Sequence, residues 1–131
     1  MNQLSGYDVF EVAGEKLPFK YGVNAFALFC KHRGIELGQL PETGLYGVFQ
    51  GTEMLRAPDM IANIELAYFA YVTAVRMKGE EPGYNLCQFT EMIGETRDII
   101  QKLQELLLTC RTMGYTFEEI AQRGATESKK K

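Results

Sequence analysis

Residues 7–34 read YDVFEVAGEKLPFKYGVNAFALFCKHRG, and within this stretch the apolar spacing changes from every second residue to every third or fourth. That change sets a two-stranded hairpin directly against a helix. From Tyr7 to Val12 apolar positions are interleaved with Asp8 and Glu11, the pattern of a strand with one solvated face. Ala13, Gly14 and Glu15 supply a turn, and Lys16 to Tyr21 return as the second strand. Pro18 has no N–H to give to a further neighbour, so this strand belongs at a sheet edge. Asn24 is the expected N-cap of a helix from Ala25 to Arg33, and Gly34 its left-handed stop. Val23, Phe26, Phe29 and Cys30 then share one face. An isolated hairpin is marginal in water, so helices must cover it.

Further along, Pro58 and Asp59 open the longest helical pattern, which runs to about Lys78 and is stopped by Gly79. Met60, Ile61, Ile64, Ala67, Tyr68, Tyr71, Val72 and Val75 form one apolar stripe, predicted to face the core. Leu66 and Phe69 fall outside that stripe, beside Ala62 and Ala70, so this helix is predicted to touch neighbours on two sides. Asn85 and Gln88 have the spacing of a capping box ahead of a short helix, Leu86 to Ile93, ended by Gly94. Thr96 is the expected cap of a fourth helix reaching Met113, with Gly114 as its stop and Leu108 as an apolar outlier on its polar face. Thr116 and Glu119 form another box, which predicts a short terminal helix. Between the first and second helices, residues 35–57 carry Gly38, Pro41, Gly44, Gly47 and Gly51 and read as a packed loop with a helical turn or two. The predicted architecture is α+β and mainly helical, an N-terminal β-hairpin packed on four to five helices. It forms one domain over residues 1–123, followed by a polar tail, 124–131, expected to be disordered.

Composition narrows the function. A chain of 131 residues that is 46% hydrophobic can build one core without a metal or a disulfide. The formal net charge is -3 and the sequence pI about 5.2, which weighs against a surface built to neutralise phosphates. Basic residues gather only at Lys31–Arg33 and Lys129–Lys131, without interleaved aromatics. The longest apolar stretch, Ile61 to Val75, contains Asn63 and Glu65 and is too short to cross a bilayer. The three cysteines, Cys30, Cys87 and Cys110, are far apart and set among apolar residues, so they are expected to be buried thiols in a reducing compartment.

Candidate chemistry is sparse. His32, the single histidine, lies between Lys31 and Arg33 near a helix end, where a cation meets the unpaired carbonyls. A structural surface role is its expected use. Glu91 and Glu95 are expected to be solvated helix-end charges, since Gly94 interrupts the face they would share. Gly44, Gly47 and Gly51 lack the Gly-Lys-Ser/Thr ending of a phosphate loop. No catalytic residue, metal ligand or cofactor follows, and the chain is expected to be a binding protein rather than an enzyme.

The stretch GEKLPFKYGVNAFALFCKHRGIELGQL, residues 14–40, resembles the opening of tail assembly chaperones from long-tailed bacteriophages. Residues 61–95, IANIELAYFAYVTAVRMKGEEPGYNLCQFTEMIGE, are similar to the rest of that family's domain, a long apolar helix, a turn and a short helix. The chain departs from the family pattern in the glycine-punctuated segment from Gly38 to Ala57 and in the added helix from Thr96 to Met113. The resemblance implies a protein of the host bacterial cytoplasm, absent from the mature virion. It would bind the phage tape-measure protein and keep it soluble during tail assembly. A structural or completion protein of the particle is the alternative, and a small nucleic-acid-binding regulator a second. For a chaperone of helices, Leu66, Phe69 and Leu108 are the candidate protein-binding or self-association residues, unless a neighbouring helix of the same domain covers them.

Overall fold

The computed structural model describes residues 5–36, 59–116 and 119. Two strands, β1 (Tyr7–Val12) and β2 (Glu15–Lys20), come first, then α1 (Val23–Arg33), α2 (Asp59–Met77), α3 (Leu86–Gly94) and α4 (Ile99–Thr109). Two short strands, β3 (Arg111–Thr112) and β4 (Tyr115–Thr116), close the described chain. The fold is α+β, an N-terminal hairpin packed against a four-helix bundle, as the sequence pattern predicts.

β1 and β2 pair antiparallel with Val12 opposite Glu15, so Ala13 and Gly14 form a two-residue turn. Both have positive φ, 50° and 82°, the mirror-image turn whose twist matches the strands. Alanine resists that conformation, and a tertiary bond helps to hold it: the Ala13 N–H donates to Thr96 Oγ1 at 2.8 Å. Phe10, Val12, Leu17 and Phe19 line the inner face of the hairpin. On β1, Asp8 Oδ1 accepts from the Val9 N–H at 2.7 Å, and on β2 Pro18 has no N–H. Both devices blunt the sheet against further strands.

Phe19 anchors the core. Its ring lies 6.0 Å from Phe10, 6.5 Å from Tyr71 and 6.1 Å from Phe89, and Tyr71 stacks on Phe89 at 5.8 Å. These contacts bind the hairpin to α2 and α3. A fully buried Phe of this kind contributes about 2–3 kcal/mol by transfer from water. The tyrosine hydroxyls find partners in the following loop, since Tyr71 Oη accepts from the Gly83 N–H and Tyr68 Oη donates to the Tyr84 carbonyl, both at 3.0 Å. Tyr84 in turn donates to Glu15 Oε2 at 2.5 Å, joining that loop to β2.

Helix ends agree with the sequence where the signal is local. Gly34 ends α1 in the left-handed region. Asn85 Oδ1 accepts from the Gln88 N–H at 2.8 Å, and Gln88 Oε1 from the Asn85 N–H at 3.0 Å, the reciprocal box that starts α3. Thr116 and Glu119 also bond reciprocally, with the Glu119 N–H on Thr116 Oγ1 at 3.2 Å, but the terminal helix their spacing predicts lies, apart from Glu119, outside the described residues.

Several expectations are corrected. Asn24 does not cap α1; the helix begins at Val23 after Gly22, and Val23 is exposed rather than in the core. Ile61 also faces outward, because burial on α2 extends around Ala62, Leu66 and Ala70 instead of following one narrow stripe. The fourth helix is shorter than its apolar spacing suggests. Thr96 does not cap it, because its hydroxyl donates to the Met92 carbonyl and accepts from Ala13, and Asp98, left-handed at φ 61°, precedes Ile99. At the other end the chain leaves the helix after Thr109 and makes a second hairpin, with Met113 and Gly114 in a turn at φ 54° and 85°. Long-range packing fixes that exit. A Cβ on Gly6 would lie 2.6 Å from Cys110 Cβ, so the N-terminal segment passes hard against Cys110, and Ser5 Oγ accepts from the Arg111 N–H at 3.1 Å. The predicted loop over 35–57, apart from Ile35 and Glu36, lies outside the described residues, as do Pro58 and the tail 124–131.

Candidate functional site

α2 is the centre of the domain, packed against α1, β2, α3 and α4. Its apolar circumference follows from a sequence with Ala62, Ala67, Ala70 and Ala74 between larger residues, since small side chains let neighbours approach on several sides. α1 lies along one of those sides, and the seam between them differs from end to end.

At the first end, Glu65 of α2 meets the last turn of α1. Arg33 Nε donates to Glu65 Oε1 at 2.7 Å, a second guanidinium nitrogen, Nη2, reaches the same oxygen, and His32 Nε2 lies 3.0 Å from Oε2. The Glu65 side chain is 16% exposed, so this carboxylate is largely withdrawn from water and held by two basic groups. Aromatic rings complete the closure: His32 lies 5.4 Å from Phe69, and the Arg33 guanidinium 5.3 Å from the Phe29 centroid.

At the other end the seam opens into a groove of about 310 Å³ lined by Asn24 and Leu28 of α1 and Thr73, Arg76 and Met77 of α2. Leu28 is half-buried and Met77 exposed, so an apolar surface meets solvent there. Thr73 Oγ1 donates to the Phe69 carbonyl at 2.8 Å, which leaves no hydroxyl proton for a ligand. Arg76 is different. Its side chain is 54% exposed, and its Nε lies 3.9 Å from Glu81 Oε2, too far for a hydrogen bond. An apolar surface beside a cation can take an amphipathic segment, and among the described residues no acid–base pair or nucleophile–base pair lines it.

The three candidate residues do not share a surface. Leu66 is 1% exposed and belongs to the core, so in this fold it presents nothing to a partner. Phe69 is partly buried between His32 and Tyr68, whose ring is 5.5 Å away. Leu108, at 56% exposed, is open on α4. Sequence reasoning missed Asn24, Leu28, Arg76 and Met77. The available signal was weak: Asn24, Leu28 and Lys31 recur on one side of α1, away from its buried Ala25, Phe26, Phe29 and Cys30.

Elsewhere, Cys30 and Cys110 are buried thiols, whereas Cys87 is exposed, a correction explained by its place in the first turn of α3, whose buried side carries Phe89 and Ile93. Burial pushes the Cys110 thiol up to about 11, opposed by the nearby Lys20, and burial also raises Cys30. Glu91 and Glu95 are exposed. Among the described residues no group of three or more His, Cys, Asp or Glu is placed to hold a metal ion, and no helix is long and apolar enough to cross a membrane.

Fold and groove together define a small α+β domain with an open interhelical cleft. The chain matches no protein-family model, no curated protein and no solved structure.

Proposed function

We propose that this chain is a non-enzymatic tail assembly chaperone of a long-tailed bacteriophage, which binds the tape-measure protein in the host bacterial cytoplasm and keeps it soluble until the tail tube forms around it. The observation that carries this reading is the open seam. Its two helices come from the two stretches that resemble the chaperone family, α1 from residues 14–40 and α2 from residues 61–95. A chaperone for a long helical client needs apolar surface that meets amphipathic segments, and a polar rim that limits its own aggregation. Leu28 and Met77 supply the first, Asn24 and Arg76 the second.

Co-expression tests the reading. A tape-measure protein that is insoluble alone should become soluble and co-purify with this chain, and mass spectrometry of finished virions should not find the chain. A tape-measure protein that stays insoluble, or virions that contain this chain in stoichiometric amounts, would overturn the chaperone reading; the second result would favour a structural protein of the particle.

A further inference from the structure

The groove has a charge pattern that goes beyond a general affinity for helices. Arg76 stands at the end where Asn24 begins the α1 wall, without a carboxylate at hydrogen-bond distance among the described residues. Lys31, three residues beyond Leu28 on the same side of α1, is exposed. Along α1, Leu28 lies between Asn24, which lines the groove together with Arg76, and Lys31, one turn further on. Asn24 and Lys31 are seven residues apart, which on an α-helix is about 10 Å, or two turns. Of the described acids beside the seam, Glu65 is already engaged by Arg33 and His32, and Glu81, 83% exposed, makes only a 3.9 Å contact with Arg76, a solvent-screened pair that contributes little. Among the described residues, the five that line the groove include no acid.

We propose that the groove recognises an amphipathic helix of acidic character, in which one apolar side chain enters between Leu28 and Met77 and carboxylates about one turn to either side meet Arg76 and Lys31. The matching signature on the bound helix is acid, apolar, acid at positions i, i+4 and i+7, because these lie on one helix face and span two turns. The inference deepens the chaperone reading by specifying the client segment, and it rests on that reading only for the identity of the natural client. Charge complementarity sets the register and rejects basic helices, while the apolar contact supplies affinity.

The test uses the full chain and two synthetic helical peptides of 21 residues. One carries Glu-x-x-x-Leu-x-x-Glu; its twin has Lys at both Glu positions. Fluorescence anisotropy should show the acidic peptide binding and the basic twin weaker by about tenfold. The double variant Arg76→Glu with Lys31→Glu changes two exposed side chains and should keep the native melting temperature. It should reverse the preference, binding the Lys peptide more tightly than the Glu peptide. Equal binding of the two peptides, no binding of either to the native chain, or a preference unchanged by the double variant would overturn the inference. The two readings fail separately. If the double variant still solubilises the tape-measure protein as well as the native chain does, the acidic-helix inference falls and the chaperone stands. If the preference reverses but the native chain solubilises no tape-measure protein, the groove chemistry stands and the chaperone reading falls.

Discussion

The two ends of the α1–α2 seam are built from the same helices and do opposite things. Around Glu65 the seam is shut by two basic side chains on one carboxylate, with Phe69 and Phe29 under them. Around Thr73 it stands open, with Met77 at the surface and Arg76 meeting only the exposed Glu81, at 3.9 Å. A shut end fixes the angle between the helices and so preserves the gap at the other, where a partner can enter. Stability and recognition are thereby separated along one interface.

Substitutions should reproduce that separation. Leu66→Ala, in the core beneath the seam, should cost about 3 kcal/mol in urea unfolding through lost transfer energy and the cavity left behind. A loss below 1 kcal/mol would mean that Leu66 is not enclosed. Phe69→Ala should cost about 2 kcal/mol, less because the ring is only partly buried. Glu65→Gln keeps the shape but removes the charge that Arg33 and His32 share; about 1.5 kcal/mol is expected, visible as a lower denaturation midpoint at unchanged m-value. Met77→Ser, at the open end, should shift stability by less than about 0.5 kcal/mol while weakening capture of a helical client. An equal stability loss from Glu65→Gln and Met77→Ser would erase the distinction between the two ends.

The parts of the fold legible in the sequence are those set by neighbours along the chain. The first hairpin, the Gly34 stop and the Asn85–Gln88 box all depend on residues within a few positions of one another. The end of the fourth helix does not. Cys110 and Met113 continue the helical spacing, yet the backbone leaves the helix because Gly6 and Ser5, more than a hundred positions earlier, press against Cys110 and bond Arg111. Thr96 was similarly ambiguous, since a hydroxyl that suits an N-cap also serves the strained Ala13 turn across 83 positions. The groove was less legible still. Glu65 reads as an interruption of an apolar run, and only the folded chain brings Arg33 and His32 to it. Leu66 and Phe69 do mark a second apolar side of α2, but the surface left open on that seam lies further along, at Thr73 and Met77.

Amide hydrogen exchange on the chain alone and in its co-purified complex with the tape-measure protein tests the central claim most directly. Binding at the open end should slow exchange in the first two turns of α1 and the last two turns of α2, with little change around Leu108 and Met113. Slowing confined to residues 105–116, or a complex that never forms, would contradict it.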